Sequence, residues 1–144
     1  MKQMLTGLLL ATVVSLALAQ ATPVGVWKTI DDKTKTEKAI VRISDNGGVL
    51  SGRIERVLAP DAKPDAVCDK CSDDRKDQKI VGLEIIRGAK KAEGDGVWEG
   101  GTIVDTVDGK VYRLRLKPED EGKRLEVRGY VGPFYRNQHW IRVE

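Results

Sequence analysis

The sequence predicts an all-β domain, an eight-stranded, mainly antiparallel up-and-down barrel. Three observations carry that prediction. Beyond residue 21, eight short runs alternate apolar and polar residues with a period of two, and none carries a helical period. Turn signals separate them, among them Asn46-Gly47-Gly48, Asp108-Gly109 and Glu121-Gly122, at the short spacing of sandwiches and barrels. Each run keeps one polar face, as in an antiparallel sheet that is wet on one side. Eight strands are enough to close such a sheet and remove its exposed edges.

Residues 1–21 read as a signal peptide rather than as part of the fold. Lys2 supplies a positive start, Met4 to Ala19 is apolar, and Ala17-Leu18-Ala19 and Ala19-Gln20-Ala21 both fit small-x-small cleavage. The apolar stretch is shorter than the roughly 20 residues of a spanning helix. No cysteine stands near the cleavage site to take a lipid, and no later stretch could span a bilayer. Cleavage leaves residues 22–144, enough for a single β-barrel domain with one core. Losing Lys2 lowers the formal charge from +3 to +2, with Lys and Arg interleaved among Asp and Glu throughout. That balance describes a solvated surface and gives no footprint for nucleic acid.

The strands follow in order. Gly25 to Thr29 is entered through Pro23, and Asp31-Asp32-Lys33-Thr34 turns the chain into Lys38–Ile43, with Ala39, Val41 and Ile43 on one face. Val49–Leu58 puts Leu50, Gly52 and Ile54 on one parity, and Pro60 and Pro64 end it because proline cannot donate to a ladder. After a charged segment, Ile80–Arg87 aligns Val81, Leu83 and Ile85, and Val97–Val104 carries Gly100-Gly101, the mark of a bulge. Val111–Lys117 aligns Tyr112, Leu114 and Leu116; Arg124–Val131 aligns Leu125, Val127, Gly129 and Val131 against Glu126, Arg128 and Tyr130. His139–Val143 closes the series.

Chemistry-bearing groups are few. Cys68-x-x-Cys71 admits a redox, a metal or a disulfide reading. The redox reading lacks a βαβ setting, and Asp69, Asp73 and Asp74 would raise the thiol pKa values. The metal reading lacks partners, since no second cysteine pair exists and His139 is the single histidine. An oxidising compartment favours a structural disulfide between Cys68 and Cys71, worth only about 2 kcal/mol for so short a ring. His139 as a general base has no nucleophile in a recognisable setting beside it, and reads as a packed or surface residue. The Asp and Glu residues cluster in turns, which argues against a glycosidase pair.

Gly25-x-Trp27 near the start and Arg142 in the last strand resemble the lipocalin and calycin pattern, in which an arginine stacks on an early tryptophan and plugs one end of a barrel. The alternative is an ordinary core tryptophan and a surface arginine. A wider resemblance spans the chain beyond the leader. Cys68-x-x-Cys71 with Ile80-Val81-Gly82-Leu83, Trp98-x-Gly100-Gly101-x-Ile103-x-Asp105, Asp108-Gly109-Lys110-x-Tyr112, Leu125-x-Val127-Arg128-Gly129-Tyr130-x-Gly132 and Trp140-x-Arg142 together resemble the bacterial exported family called domain of unknown function 2147. Thr106 departs from the proline expected after Asp105. The resemblance implies a small calycin-like barrel of the cell envelope, periplasmic or secreted, and carries over no catalytic residue.

The function expected is therefore non-enzymatic: binding of a small apolar or amphipathic ligand, or of an envelope partner. No catalytic residue, cofactor or metal ligand is assigned. Trp98, Tyr112, Tyr130 and Trp140 are the aromatics expected at a mouth or cavity, with core packing as the bland alternative. With aromatics at only 5%, a barrel filled by its own side chains competes with a hollow one. The reading from a different class is a thiol-disulfide or metal-handling protein using Cys68 and Cys71.

Overall fold

The computed structural model describes residues 21–94 and 96–144, so the expected signal peptide lies, but for Ala21, outside the described residues. Eight strands form one closed antiparallel barrel in simple sequence order. They are β1 (Gly25–Ile30), β2 (Glu37–Asn46), β3 (Val49–Val57), β4 (Glu84–Lys91), β5 (Trp98–Val104), β6 (Val111–Glu119), β7 (Arg124–Val131) and β8 (Phe134–Arg142). A single 3-10 turn, Asp120–Gly122, is the helical element among the described residues. The up-and-down order sorts the connections into two ends. The β2–β3, β4–β5 and β6–β7 turns share one end with both barrel termini; the other four connections share the opposite end.

Inward positions divide accordingly. In the half nearer the termini, Trp27, Ile43, Leu50, Ile86, Ala89, Trp98, Leu116 and Leu125 pack as one continuous core with Trp140. In the opposite half, Thr29, Ala39, Val41, Ile54, Val104, Val127 and Gly129 face inward and are mostly small. Closure is short: β1 meets β8 only at Trp27↔Arg142 and Lys28↔Ile141, extended by the Val26 amide to the Glu144 carbonyl at 2.9 Å.

The Gly100-Gly101 bulge is present, as a register slip between Glu99 and Gly101. Two strand starts differ from the sequence reading. β4 begins at Glu84 rather than Ile80, because Ile80–Leu83 forms a turn with Gly82 at φ 92° and Val81 left exposed. A second slip then puts Ile85 and Ile86 both inside, which a strict two-residue period cannot express. β8 begins at Phe134 rather than His139, directly after a tight Gly132-Pro133 turn. Its inward residues there are Arg136 and Gln138, so the apolar alternation that marks a strand is absent.

Between β3 and β4 the chain makes an ordered loop held by several devices. Cys68 and Cys71 are joined by a disulfide, and both are buried. The Cys68 amide donates to the Gln78 carbonyl at 2.8 Å, and Val67 bridges Lys79. Arg75 is buried; it donates to Asp73 Oδ1 at 3.0 Å and to the Glu84 carbonyl at 3.1 Å. Arg87 anchors the same loop to β4 through Asp74 at 2.8 Å. A side chain at Gly109 would run into the backbone of Lys70 and Cys71, so the β5–β6 turn and the disulfide loop fit together only through glycine.

Candidate ligand cavity

The mouth half of the barrel is hollow. Its cavity measures about 760 Å³ and opens between the β1–β2, β5–β6 and β7–β8 turns, with Ala59 and Ile80 of the disulfide loop on its rim. Cavities of roughly 300–1,000 Å³ suit small ligands. Trp140 makes the floor, buried and tethered by its Nε1 hydrogen to Gln138 Oε1 at 3.1 Å. Above it the wall is Val41, Ile54, Ile85, Val104 and Val127, all buried. Side-chain size contributes to the hollow, since the lining includes Ala39 and Gly129, which reach little way into the barrel.

Charge is confined to the rim, on Asp31, Lys33, Lys38, Asp105, Asp108 and Arg136. Most of it is committed to the turns. Asp31 Oδ1 accepts the Lys33 and Thr34 amides at 2.9 and 2.8 Å, and the Thr34 and Lys33 amides hold its carboxyl below the ordinary range. Asp105 Oδ1 accepts the Val107 amide at 2.7 Å. Asp108 takes the Lys110 amide and the Tyr112 hydroxyl, each at 2.8 Å. Burial works to raise the Asp108 carboxyl, and those two donors outweigh it. The same hydrogen bond, with burial second, pushes the Tyr112 phenol up to about 12. Arg136 donates to Asp32 Oδ1 at 2.7 Å, tying β8 to the β1–β2 turn across the unpaired part of the seam.

Of the aromatics read from the sequence, the structure brings Tyr112 and Trp140 to the cavity and the other two elsewhere. Trp98 faces inward in the packed half, with the Lys91 ammonium 5.8 Å from its ring. Tyr130 sits on the outer wall, where it pairs with Tyr135 at 5.9 Å and with Arg113 at 5.4 Å. Its parity already placed it opposite Val127 and Gly129.

The closed end is built around Trp27 and Arg142. Trp27 is fully buried, and its Nε1 hydrogen goes to the Pro23 carbonyl at 2.7 Å. The Arg142 guanidinium lies 4.2 Å from the ring centre. It donates to the carbonyls of Gly122, Thr22 and Val24 at 2.5, 2.7 and 2.8 Å, and burial lowers its pKa. Gly25, at φ 140°, admits that guanidinium where any side chain would strike it.

Sequence reasoning missed the rim cations Lys33, Lys38 and Arg136, and the polar wall residue Gln138. Counting back by twos from Trp140 would have found Gln138, Arg136 and Phe134. His139 lies outside the barrel, its Nε2 3.7 Å from Glu119 and 3.9 Å from Glu126. These are the residues whose donor atoms converge among those described, within 4.8 Å. Arg124, Arg115 and Arg128 approach the same carboxylates at 3.4, 3.7 and 3.6 Å, so the group is one stretch of an ion-pair ladder. Among the described residues no helix is long and apolar enough to cross a membrane.

A closed eight-stranded up-and-down barrel with one packed end and one hollow end is a lipocalin-like fold. The chain is similar to a solved structure, protein HP1028 from the human pathogen Helicobacter pylori, described as belonging to the lipocalin family. The likeness has a TM-score of 0.72 at 16% identity over 86% of this chain and 84% of that one. The chain belongs to the family described as an uncharacterised protein conserved in bacteria (DUF2147), whose model matches residues 25–142. No curated protein matches it.

Proposed function

We propose that this protein is an exported, non-catalytic binding protein that holds a small apolar or amphipathic molecule in the mouth half of its barrel. The supporting observation is the apolar cavity of about 760 Å³, open at one end. Apolar area removed from water there is worth about 25 cal/mol per Å² to a ligand. The apolar leader at residues 1–21 and the Cys68–Cys71 disulfide support an extracytoplasmic site of action, periplasmic or secreted, with the leader removed. The burial of both sulfurs weighs against thiol exchange, which needs an attacking thiolate to reach one of them.

The test is titration with the uncharged dye Nile red, followed by its emission and by quenching of tryptophan. Saturable one-to-one binding is expected for the wild type. Val127→Trp should fill the cavity and abolish that binding while leaving the β-sheet circular dichroism intact, because the added ring enters a void rather than a packed core. Absence of saturable binding to the folded wild type, or equal binding by a folded Val127→Trp, would refute the reading.

A further inference from the structure

The rim of the cavity carries an unequal division of its charges, and that division selects a ligand class. Among the described residues the deep wall and floor hold no charged group: Trp140, Val41, Val127 and Ile54 are apolar, and Gln138 is already engaged by the Trp140 indole. A charged end of any bound molecule must therefore lie at the mouth, with its apolar part inward.

At the mouth the acidic groups have internal work. Asp31 and Asp105 cap the β1–β2 and β5–β6 turns, both Asp108 oxygens accept hydrogen bonds, and Arg136 is paired with Asp32. Lys33 and Lys38 also line the opening; among the described residues neither ammonium makes a hydrogen bond or a close ion pair, Lys38 acting on Asp31 only through its charge. Lys38 has a further mark of placement. The β1–β2 register runs Thr29↔Ala39 and then Ile30↔Glu37, which leaves Lys38 as the extra residue of a bulge. A bulge at a barrel rim re-aims the side chain it carries, and here that side chain borders the cavity.

Resting on the cavity reading above, we infer that the ligand is a single-chain amphiphile with an anionic head, a carboxylate or phosphate, whose chain enters the barrel and whose head is held by Lys33 and Lys38. An ammonium donates three hydrogen bonds and suits either oxyanion. Each exposed pair of this kind contributes modestly and weakens with salt.

The experiment displaces bound Nile red with four probes of equal chain length: dodecanoate, dodecyl phosphate, dodecanol and dodecyltrimethylammonium, all below their micelle thresholds. Both anions should bind about tenfold more tightly than dodecanol, two such pairs together, and the cation more weakly than dodecanol. Acetate and inorganic phosphate, lacking a chain, should not displace the dye. Lys33→Gln with Lys38→Gln should bring the anions to the affinity of dodecanol without changing dodecanol itself, while Lys117→Gln on the outer wall changes nothing. A preference for dodecanoate but not dodecyl phosphate, or the reverse, would identify which head the lysines accept and still support the inference. Equal affinity for all four heads, or an anion preference that survives the double substitution, overturns the head-group inference and leaves the cavity reading standing. If Nile red itself does not bind, the cavity reading falls and this inference with it.

Discussion

Replacing Trp27 with alanine asks whether the closed end holds the barrel together. The indole is fully buried, donates to the Pro23 carbonyl at 2.7 Å and lies 4.2 Å beneath the Arg142 guanidinium. Deleting so large a buried side chain costs about 3–5 kcal/mol, in lost transfer energy and in the void left behind. That is a large share of the roughly 5–15 kcal/mol that stabilises a typical domain. Arg142→Gln removes the cation and most of its bonds to the Gly122, Thr22 and Val24 carbonyls. Bonds to a charged donor are worth about 1.5–3 kcal/mol singly, and three shared by one side chain on a half-exposed site should cost about 2–3 kcal/mol together. The stack appears only in the double mutant. Cation–π contacts contribute about 0.5–1 kcal/mol when exposed and about 2 kcal/mol when desolvated. The burial that lowers the Arg142 pKa puts this pair between those limits, so the coupling should be about 1–1.5 kcal/mol. Urea unfolding of the four proteins, followed by circular dichroism, measures each term from the midpoints at a common slope. Additivity within about 0.5 kcal/mol would remove the stack from the energetics. A Trp27→Ala cost below about 1 kcal/mol would show that the barrel does not depend on this end.

Three other outcomes are expected. Cys68→Ser with Cys71→Ser should cost about 2–3 kcal/mol, the closure entropy of a short ring plus two buried hydroxyls; hydrogen exchange should lose protection in residues 59–83 and keep it in the strands, and loss in every strand would contradict the local role. Asp73 is held well below the ordinary carboxylate range, chiefly by the Arg75 side chain. Its contribution to the loop is therefore complete above its unfolded pKa of about 3.9 and is lost as pH falls further; the NMR shift of the Asp73 carboxyl carbon itself should stay constant from neutrality to about pH 4, and a transition near pH 6 at that carbon would refute it. Tyr112, raised to about 12 first by its hydrogen bond to Asp108, adds stability that is complete below an unfolded pKa of about 10 and vanishes as pH rises through the folded value. In an ultraviolet titration one of the three tyrosines should ionise last, and Tyr112→Phe should delete that step; a Tyr112 that ionises with the others would contradict it.

The fold was legible where a strand's inward side chains are apolar, whether they meet packed core or cavity. Arg124–Val131 is read from its alternation with the correct ends, because Leu125 and Val127 sit inside while Glu126 and Arg128 sit outside. Legibility failed where the inward positions that line the void are polar. From Phe134 to Gln138 the inward side chains include Arg136 and Gln138, and a polar residue lining a hollow cannot be told from a polar residue facing solvent. Tyr112 and Trp140 were found because aromatic residues on core parity stand out. Lys33 and Lys38 were not, because a turn lysine and a bulge lysine look like surface charge until register and cavity are both known. The disulfide was legible from composition and compartment, but its fit against Gly109 required the tertiary structure.

Stability and binding pull on the same inward positions, because a side chain large enough to fill a barrel also occupies the volume a ligand needs. On the proposed reading, this chain separates the two demands along the barrel axis. Trp27, Trp98, Leu50, Leu116 and Leu125 fill the closed half, where burying each Leu-sized side chain is worth about 1.5–3 kcal/mol. The mouth half gives up that burial, and its walls are held in place from outside the core instead. Asp31 and Asp105 cap two of its turns, the Tyr112 hydroxyl ties the β5–β6 turn to β6 through Asp108, and the disulfide loop braces that turn at Gly109. The two halves should therefore answer opposite substitutions. Shortening a closed-half residue opens a void that no ligand reaches, so the cost falls on stability. Enlarging a mouth-half residue such as Val127 or Ala39 adds burial where there is room for it, so the cost falls on binding. Gly129 is the exception, since a Cβ there would meet the Tyr112 Cβ at 3.3 Å, and enlarging it presses on the one rim aromatic that the turn carboxylate holds.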